Sequence, residues 1–182
     1  LSTFSIVLLA FGLSMDAFAV SVSCGLNDPD LLIKEASLAG ITFGSFQAGM
    51  TALGWILGFT FTNFISSYSQ TISLVLLSLI GIKMIYEAFA EEPKVFSLTN
   101  IMLLLSLGVA TSVDAMAAGV SLASLNIGLT FPAMIIGLLT FLVSFFGVII
   151  GCKITQIISL NRIMNILGGV ILISLGIRIF IS

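Results

Sequence analysis

Six apolar stretches divide the chain, each close to the ~20 residues that a bilayer-crossing helix needs, with short polar segments between them. They run over 3–26, 36–59, 70–89, 99–122, 131–151 and 164–181. No charged residue stands between Glu35 and Lys83, a run that holds most of two stretches and a turn expected around Asn63 to Ser69. Turn-forming Asn27-Asp28-Pro29-Asp30 closes the first stretch. Glu91-Glu92-Pro93-Lys94 is the most charged segment and separates the third stretch from the fourth. The pattern predicts an all-α polytopic membrane protein with six transmembrane helices. It divides into residues 1–90, a cytoplasmic linker at 91–98, and residues 99–182.

Polar positions inside the apolar stretches are few, and they recur. Ser14 to Ser23 and Ser112 to Ser121 both read S-x-D-A-x-A-x-x-V-S, which puts Asp16 and Asp114 at matching places in the first and fourth stretches. Gly54-Trp55-Ile56-Leu57-Gly58 in the second stretch is matched by Gly147-Val148-Ile149-Ile150-Gly151 in the fifth. Ser78-Leu79-Ile80-Gly81-Ile82-Lys83 in the third is matched by Ser174-Leu175-Gly176-Ile177-Arg178 in the sixth. The matches keep their order, so three helices resemble three helices. An odd repeat unit makes the second copy enter the membrane from the opposite face, which predicts two inverted three-helix repeats with a site near the midplane.

Helical spacing lines up further small and polar residues. Gly12, Asp16, Ala19 and Ser23 share a stripe of the first helix, and Ala110, Asp114, Ala117 and Ser121 share one on the fourth. The second helix presents Gly40, Gly44, Gln47, Thr51, Gly54 and Gly58; the fifth presents Gly137, Thr140, Ser144, Gly147 and Gly151. Close packing alone accounts for most of the glycines. The functional reading has helices one, two, four and five enclose the site, with three and six as outer supports.

Composition sharpens the class. The chain is 59% hydrophobic and 8% charged, with mean hydropathy +1.28; a soluble domain carries about 25% charged residues. Lipid is therefore the expected solvent. A net charge of −2 gives no footprint for nucleic acid. Histidine is absent, which removes the commonest metal ligand, and no nucleotide-binding loop occurs. Without His to activate a Ser, an intramembrane hydrolase has no support, so no enzyme activity and no cofactor are expected. Cys24 and Cys152 read as small apolar residues. The first stretch is too long for a signal-peptide core, lacks a basic leader and carries Asp16, so it is expected to remain as a span. Lys34, Lys83, Lys94, Lys153 and Arg162 fall on one side of an alternating six-helix topology, which puts that side in the cytoplasm and both termini outside.

An Asp at the bilayer centre costs about 2.5–3.5 kcal/mol. Neither Asp has an evident intramembrane cation: Lys83 and Arg178 stand near helix ends, and Lys83 has Glu87 as an i, i+4 partner. The acids must then be protonated, hydrated or bound to a cation. Two carboxylates match a divalent ion, and Ser14, Ser23, Ser112, Thr111, Ser121, Gln47 and exposed carbonyls supply further oxygens. Such ligands suit Mg, Ca or Mn, and Met15, Met50 and Met116 would favour Mn. Each Ser stands two residues before its Asp and points ~200° away in a regular helix. For both to hold one ion the helix must unwind, more in the first helix, where Gly12 eases it, than in the fourth.

The run Leu8-Leu9-Ala10-Phe11-Gly12-Leu13-Ser14-Met15-Asp16-Ala17-Phe18-Ala19 resembles the first-helix signature of the MntP manganese efflux pumps. Ala110-Thr111-Ser112-Val113-Asp114-Ala115-Met116-Ala117 resembles their fourth-helix signature. Phe43-Gly44, Gly54-Trp55 and Leu167-Gly168-Gly169 extend the resemblance over essentially the whole chain. It implies a six-helix protein of the bacterial inner membrane, within the LysE exporter superfamily, that exports Mn²⁺ with Asp16 and Asp114 as functional residues. The chain departs from the family at Gln47 and Asn165, where members often carry Glu, and at Thr51, where Pro is expected. Fewer acids leave less negative charge at the site. The candidate metal-site residues are thus Asp16, Asp114, Gln47, Ser14, Ser112 and Asn165. The expected activity is secondary, proton-coupled Mn²⁺ efflux. Export of another divalent cation or a small solute, or a non-transporting accessory role, are the alternatives.

Overall fold

The structure is a computed structural model that describes residues 3–27, 33–60, 69–90, 101–153 and 158–181. The charged linker at 91–98 and most of the turns expected at 27–30 and 63–69 lie outside the described residues.

Every described segment is helical. The helices are α1 (Thr3–Asn27), α2 (Ile33–Thr60), α3 (Ser69–Ala90), α4 (Ile101–Ser124), α5 (Thr130–Lys153) and α6 (Ile158–Ile181). Each covers one expected stretch. α2 and α6 begin earlier than expected, because apolarity marks the membrane-crossing part whereas a helix also accepts polar residues such as Lys34, Glu35, Asn161 and Arg162 in its first turns. Three spans, Thr3–Leu26, Ile101–Ser124 and Thr130–Lys153, are long and apolar enough on their own to cross a membrane. In α2, Gln47 and the many Gly, Ser and Thr residues lower the hydropathy.

Glycines set which helices meet. A Cβ on Gly54 of α2 would collide with the Met116 carbonyl of α4, and one on Gly119 of α4 would collide with the Thr51 carbonyl of α2. The α1–α5 seam is built the same way, with Gly25 against the Val148 carbonyl and Gly151 against the Val22 carbonyl. Both pairs run parallel. α2 and α5 cross antiparallel, Gly44 lying against the Gly137 carbonyl, and α3 packs along α6. Smaller contacts join α1 to α6, α3 to α4 and α1 to α4. Exchanging the first three helices for the last three swaps α1–α5 with α2–α4 and α1–α6 with α3–α4, and maps α2–α5, α3–α6 and α1–α4 onto themselves.

The α4–α5 connection is a compact turn. Asn126 takes φ 54°, the Ile127 N–H donates to the Leu122 carbonyl at 3.0 Å, and the Asn126 N–H donates to Ala123 at 2.9 Å. This is the Schellman ending of a helix, with Asn in the left-handed position. Trp55 of α2 donates its indole N–H to the Ile127 carbonyl at 2.7 Å and ties the turn to the bundle.

Polar and apolar residues are distributed inside out. Ile41, Leu53, Leu79, Met102, Leu138 and Phe146 are exposed, while Ser14, Gln47, Thr51, Ser112, Asp114 and Thr140 are buried. An apolar exterior around polar buried side chains is what lipid as solvent requires. One apolar cluster gathers Leu13, Met15, Leu77, Leu122, Ile136 and Leu172. A second gathers Ala17, Cys24, Ala39, Phe43, Leu104 and Val148.

Candidate functional site

Asp16 lies midway along α1 and Asp114 midway along α4. Their side chains are 12% and 5% exposed. One ammonium joins them: Lys83 Nζ donates to Asp114 Oδ1 at 3.1 Å and lies 3.8 Å from Asp16 Oδ2. The two acids therefore meet at one place inside the bundle.

This corrects the sequence reading at two points. The aspartates do have a cationic partner, and α3 is not merely an outer support, because it delivers that cation. Local spacing pointed to Glu87 as the Lys83 partner; the Glu87 side chain lies outside the described residues. The packing of α3 on α4, invisible in local spacing, brings Lys83 to Asp114. A usable signal was present. Lys83 falls inside the expected third span, and an ionisable residue there is a functional candidate by the same rule that singled out the acids.

The helices do not unwind at the motifs. α1 is continuous from Thr3 to Asn27 and α4 from Ile101 to Ser124. Ser14 Oγ donates to the Phe11 carbonyl at 2.8 Å, and Ser112 Oγ donates to Gly108 at 2.7 Å, with Val109 at 3.1 Å. Serine satisfies its hydroxyl within a membrane helix by bonding back to the preceding turn, so no unwound backbone is needed to accommodate it.

Gln47, fully buried on α2, donates through Nε2 to the Leu13 carbonyl of α1 at 2.8 Å, one turn from Asp16. Thr51 Oγ1 donates back to the Gln47 carbonyl at 2.8 Å. With Gly54 and Gly58 laid on Gly147 and Gly151, Gln47 falls on Thr140 and Thr51 on Ser144. Thr140 Oγ1 and Ser144 Oγ are fully buried and have no hydrogen-bond partner among the described residues, and the same holds for Ser21 Oγ on α1. A threonine is too short to make the reach that Gln47 makes, so the polar seam is satisfied in one half and open in the other. The side chain of Asn165 lies outside the described residues. Met15 packs in the apolar core with Leu9 and Leu13. Cys24 is a buried thiol.

The arrangement can hold a cation between two carboxylates. If both acids are ionised, one ammonium leaves the site with excess negative charge, and every oxygen on offer is a hard donor. Among the described residues no three Cys, Asp or Glu side chains gather, here or elsewhere, so the acid pair is two carboxylates with one lysine.

An apolar-faced helical bundle with charged groups enclosed among its helices defines a multi-pass membrane protein. Residues 30–180 match the family model described as "Mntp: Putative manganese efflux pump", and the chain belongs to that family. A relative from Methanocorpusculum labreanum, named "Putative manganese efflux pump MntP", is 44% identical over 178 residues, covering 98% of this chain and 95% of the relative. Identically named relatives from Methanosarcina acetivorans and Aliarcobacter butzleri are 46% and 42% identical, covering 93% and 97% of this chain and 90% and 98% of their own lengths. No solved structure gives a significant match. The family is one of transporters, not enzymes, and no cofactor is indicated.

Proposed function

We propose that this chain exports Mn²⁺ across the plasma membrane as a secondary transporter, in exchange for protons. The observation that carries the reading is the meeting of Asp16 and Asp114 at one enclosed place. They come from matching motifs in the two halves, and buried carboxylates at that depth mark an ion pathway. The efflux-pump names of relatives that align over nearly their full length supply the metal and the direction. Asp16 and Asp114 bind the cargo through their carboxylates. Gln47 supports the site by bonding α2 to α1 one turn from Asp16, while Ser14 and Ser112, bonded back to their own helices, pack behind the acids rather than ligate the ion.

The architecture that goes with this reading has six spans in two inverted repeats, residues 1–90 and 99–182, joined by a cytoplasmic linker at 91–98. Its support is the ordered repetition of motifs and the exchange of helix pairs between halves. Lys and Arg placement supports a cytoplasmic linker and outward termini. Proton exchange follows from the chemistry of carboxylates, which release bound metal when they take up protons.

The test is intracellular metal content in a strain lacking Mn²⁺ export, with and without this chain, at equal membrane expression. Expression should lower cellular Mn²⁺ and restore growth in excess Mn²⁺, while Asp16→Asn and Asp114→Asn should each abolish both effects. Oxygen-only ligation also suits Mg²⁺, so Mg²⁺ content is measured alongside. A fall in Mg²⁺ with unchanged Mn²⁺ would reassign the cargo.

A further inference from the structure

We propose that Lys83 is a tethered cation that competes with the cargo: its ammonium holds the Asp16–Asp114 pair when the site is empty and leaves when Mn²⁺ binds. The inference rests on the reading of the acid pair as the cargo site, and it adds how that site is emptied.

Three observations carry it. Lys83 Nζ is 3.1 Å from Asp114 Oδ1 and 3.8 Å from Asp16 Oδ2, so it stands where a shared cation would stand. A divalent ion bound by both carboxylates lies about 2.0–2.6 Å from their oxygens. It would press against the ammonium with like charge, so the two occupants exclude each other. The second observation is exposure. The Lys83 side chain is 44% exposed, whereas the acids are 12% and 5% exposed. The Lys83 side chain borders the surface of the bundle, whereas the acids are enclosed. The third is its position, on α3, outside both helices that carry the acids. A flexible lysine stem can swing away without moving α1 or α4.

The exchange solves a charge problem. Two ionised carboxylates left bare in a low-dielectric interior are strongly unfavourable. With Lys83 returning to them, the emptied carrier reorients with part of that penalty offset. The same competition weakens apparent metal affinity by the fraction of molecules in which the ammonium is already out. A pump that must release its cargo benefits from that weakening. The lysine-matched residue of the other half, Arg178, donates instead to Ser5 Oγ at 3.2 Å, near the start of α1. Only one of the two matched cations therefore stands at the acids.

The test uses the full chain, purified in lipid nanodiscs, with Mn²⁺ as the probe and free Mn²⁺ read by electron paramagnetic resonance. If the ammonium-held form makes up about nine-tenths of the empty protein, Lys83→Met should bind Mn²⁺ about tenfold more tightly. Lys83→Arg, which keeps the charge, should not bind more tightly than the unmodified chain. In transport assays Lys83→Met should turn over more slowly despite its tighter binding, a split that a purely structural ion pair does not produce. Unchanged or weaker binding by monodisperse Lys83→Met overturns the exchange. The unmodified protein offers an independent readout, should that variant not fold. Adding Mn²⁺ should increase labelling of Lys83 by a small amine-reactive reagent, and labelling that stays constant or falls as Mn²⁺ binds overturns the proposal. If the unmodified chain binds no Mn²⁺, or binds it equally well after Asp16→Asn and Asp114→Asn together, the cargo-site reading fails and the exchange falls with it. Binding that depends on the aspartates but ignores Lys83 rejects the exchange alone.

Discussion

A carboxylate costs about 2.5–3.5 kcal/mol at the centre of a membrane helix, and this chain places two against one lysine. The residues around them differ in how fully they are satisfied, and that difference sets what each substitution does. Gln47 bonds the Leu13 carbonyl across helices. Interhelical hydrogen bonds in membranes average about 0.6 kcal/mol and reach about 1.7. Gln47→Leu should therefore lower stability by about that range, read as a reduced melting midpoint in detergent. Thr140 and Ser144 behave oppositely. Their hydroxyls are buried without partners among the described residues, and removing an unpaired polar group from an interior is neutral or stabilising. Thr140→Val and Ser144→Ala should leave the melting midpoint unchanged or raise it. A clear drop in either would reveal a partner, such as a bound water or ion, for that hydroxyl.

At the scale of helices, close backbone approach dominates. Gly54→Ala would drive a Cβ into the Met116 carbonyl and should separate α2 from α4; Gly25→Ala should do the same to α1 and α5. Both variants should lose most folded protein in the membrane, as judged by size-exclusion profiles of a fluorescent fusion. Gly49, with nothing within 4 Å of its added Cβ, is the control. Gly49→Ala should fold as well or better, because Ala favours a helix over Gly by up to about 1 kcal/mol. The helices themselves were legible in the sequence, since a span is a run of apolar residues and each run became a helix. Two of the four small-residue stripes were legible too: Gly54 and Gly58 of α2 meet α4, and Gly147 and Gly151 of α5 meet α1, whereas Gly12 of the α1 stripe packs on α6 and the α4 side of its seam is built from Met116, Gly119 and Val120. The local backbone at Ser14 and Ser112 was misjudged. Shared ligation by Ser and Asp demands an unwound turn, whereas a serine hydroxyl satisfies itself on the carbonyl one turn back.

At the scale of the molecule, the repeated motifs made the convergence of Asp16 and Asp114 legible. The arrival of Lys83 was not, because spacing along one helix reveals neighbours on that helix and nothing about which other helix it packs against. The matched helix pairs support an odd, inverted repeat. Single cysteines placed at Asn63 and at Glu91 should label from opposite sides of the membrane, and labelling from one side would remove the inverted topology. The central claim is that the two aspartates carry Mn²⁺, and it is tested most directly with purified protein in proteoliposomes under an imposed proton gradient. The unmodified chain should move Mn²⁺ across the bilayer, while Asp16→Asn, Asp114→Asn and the double variant, reconstituted to equal density, should move none above protein-free vesicles. Transport by the double variant at the unmodified rate would contradict the account.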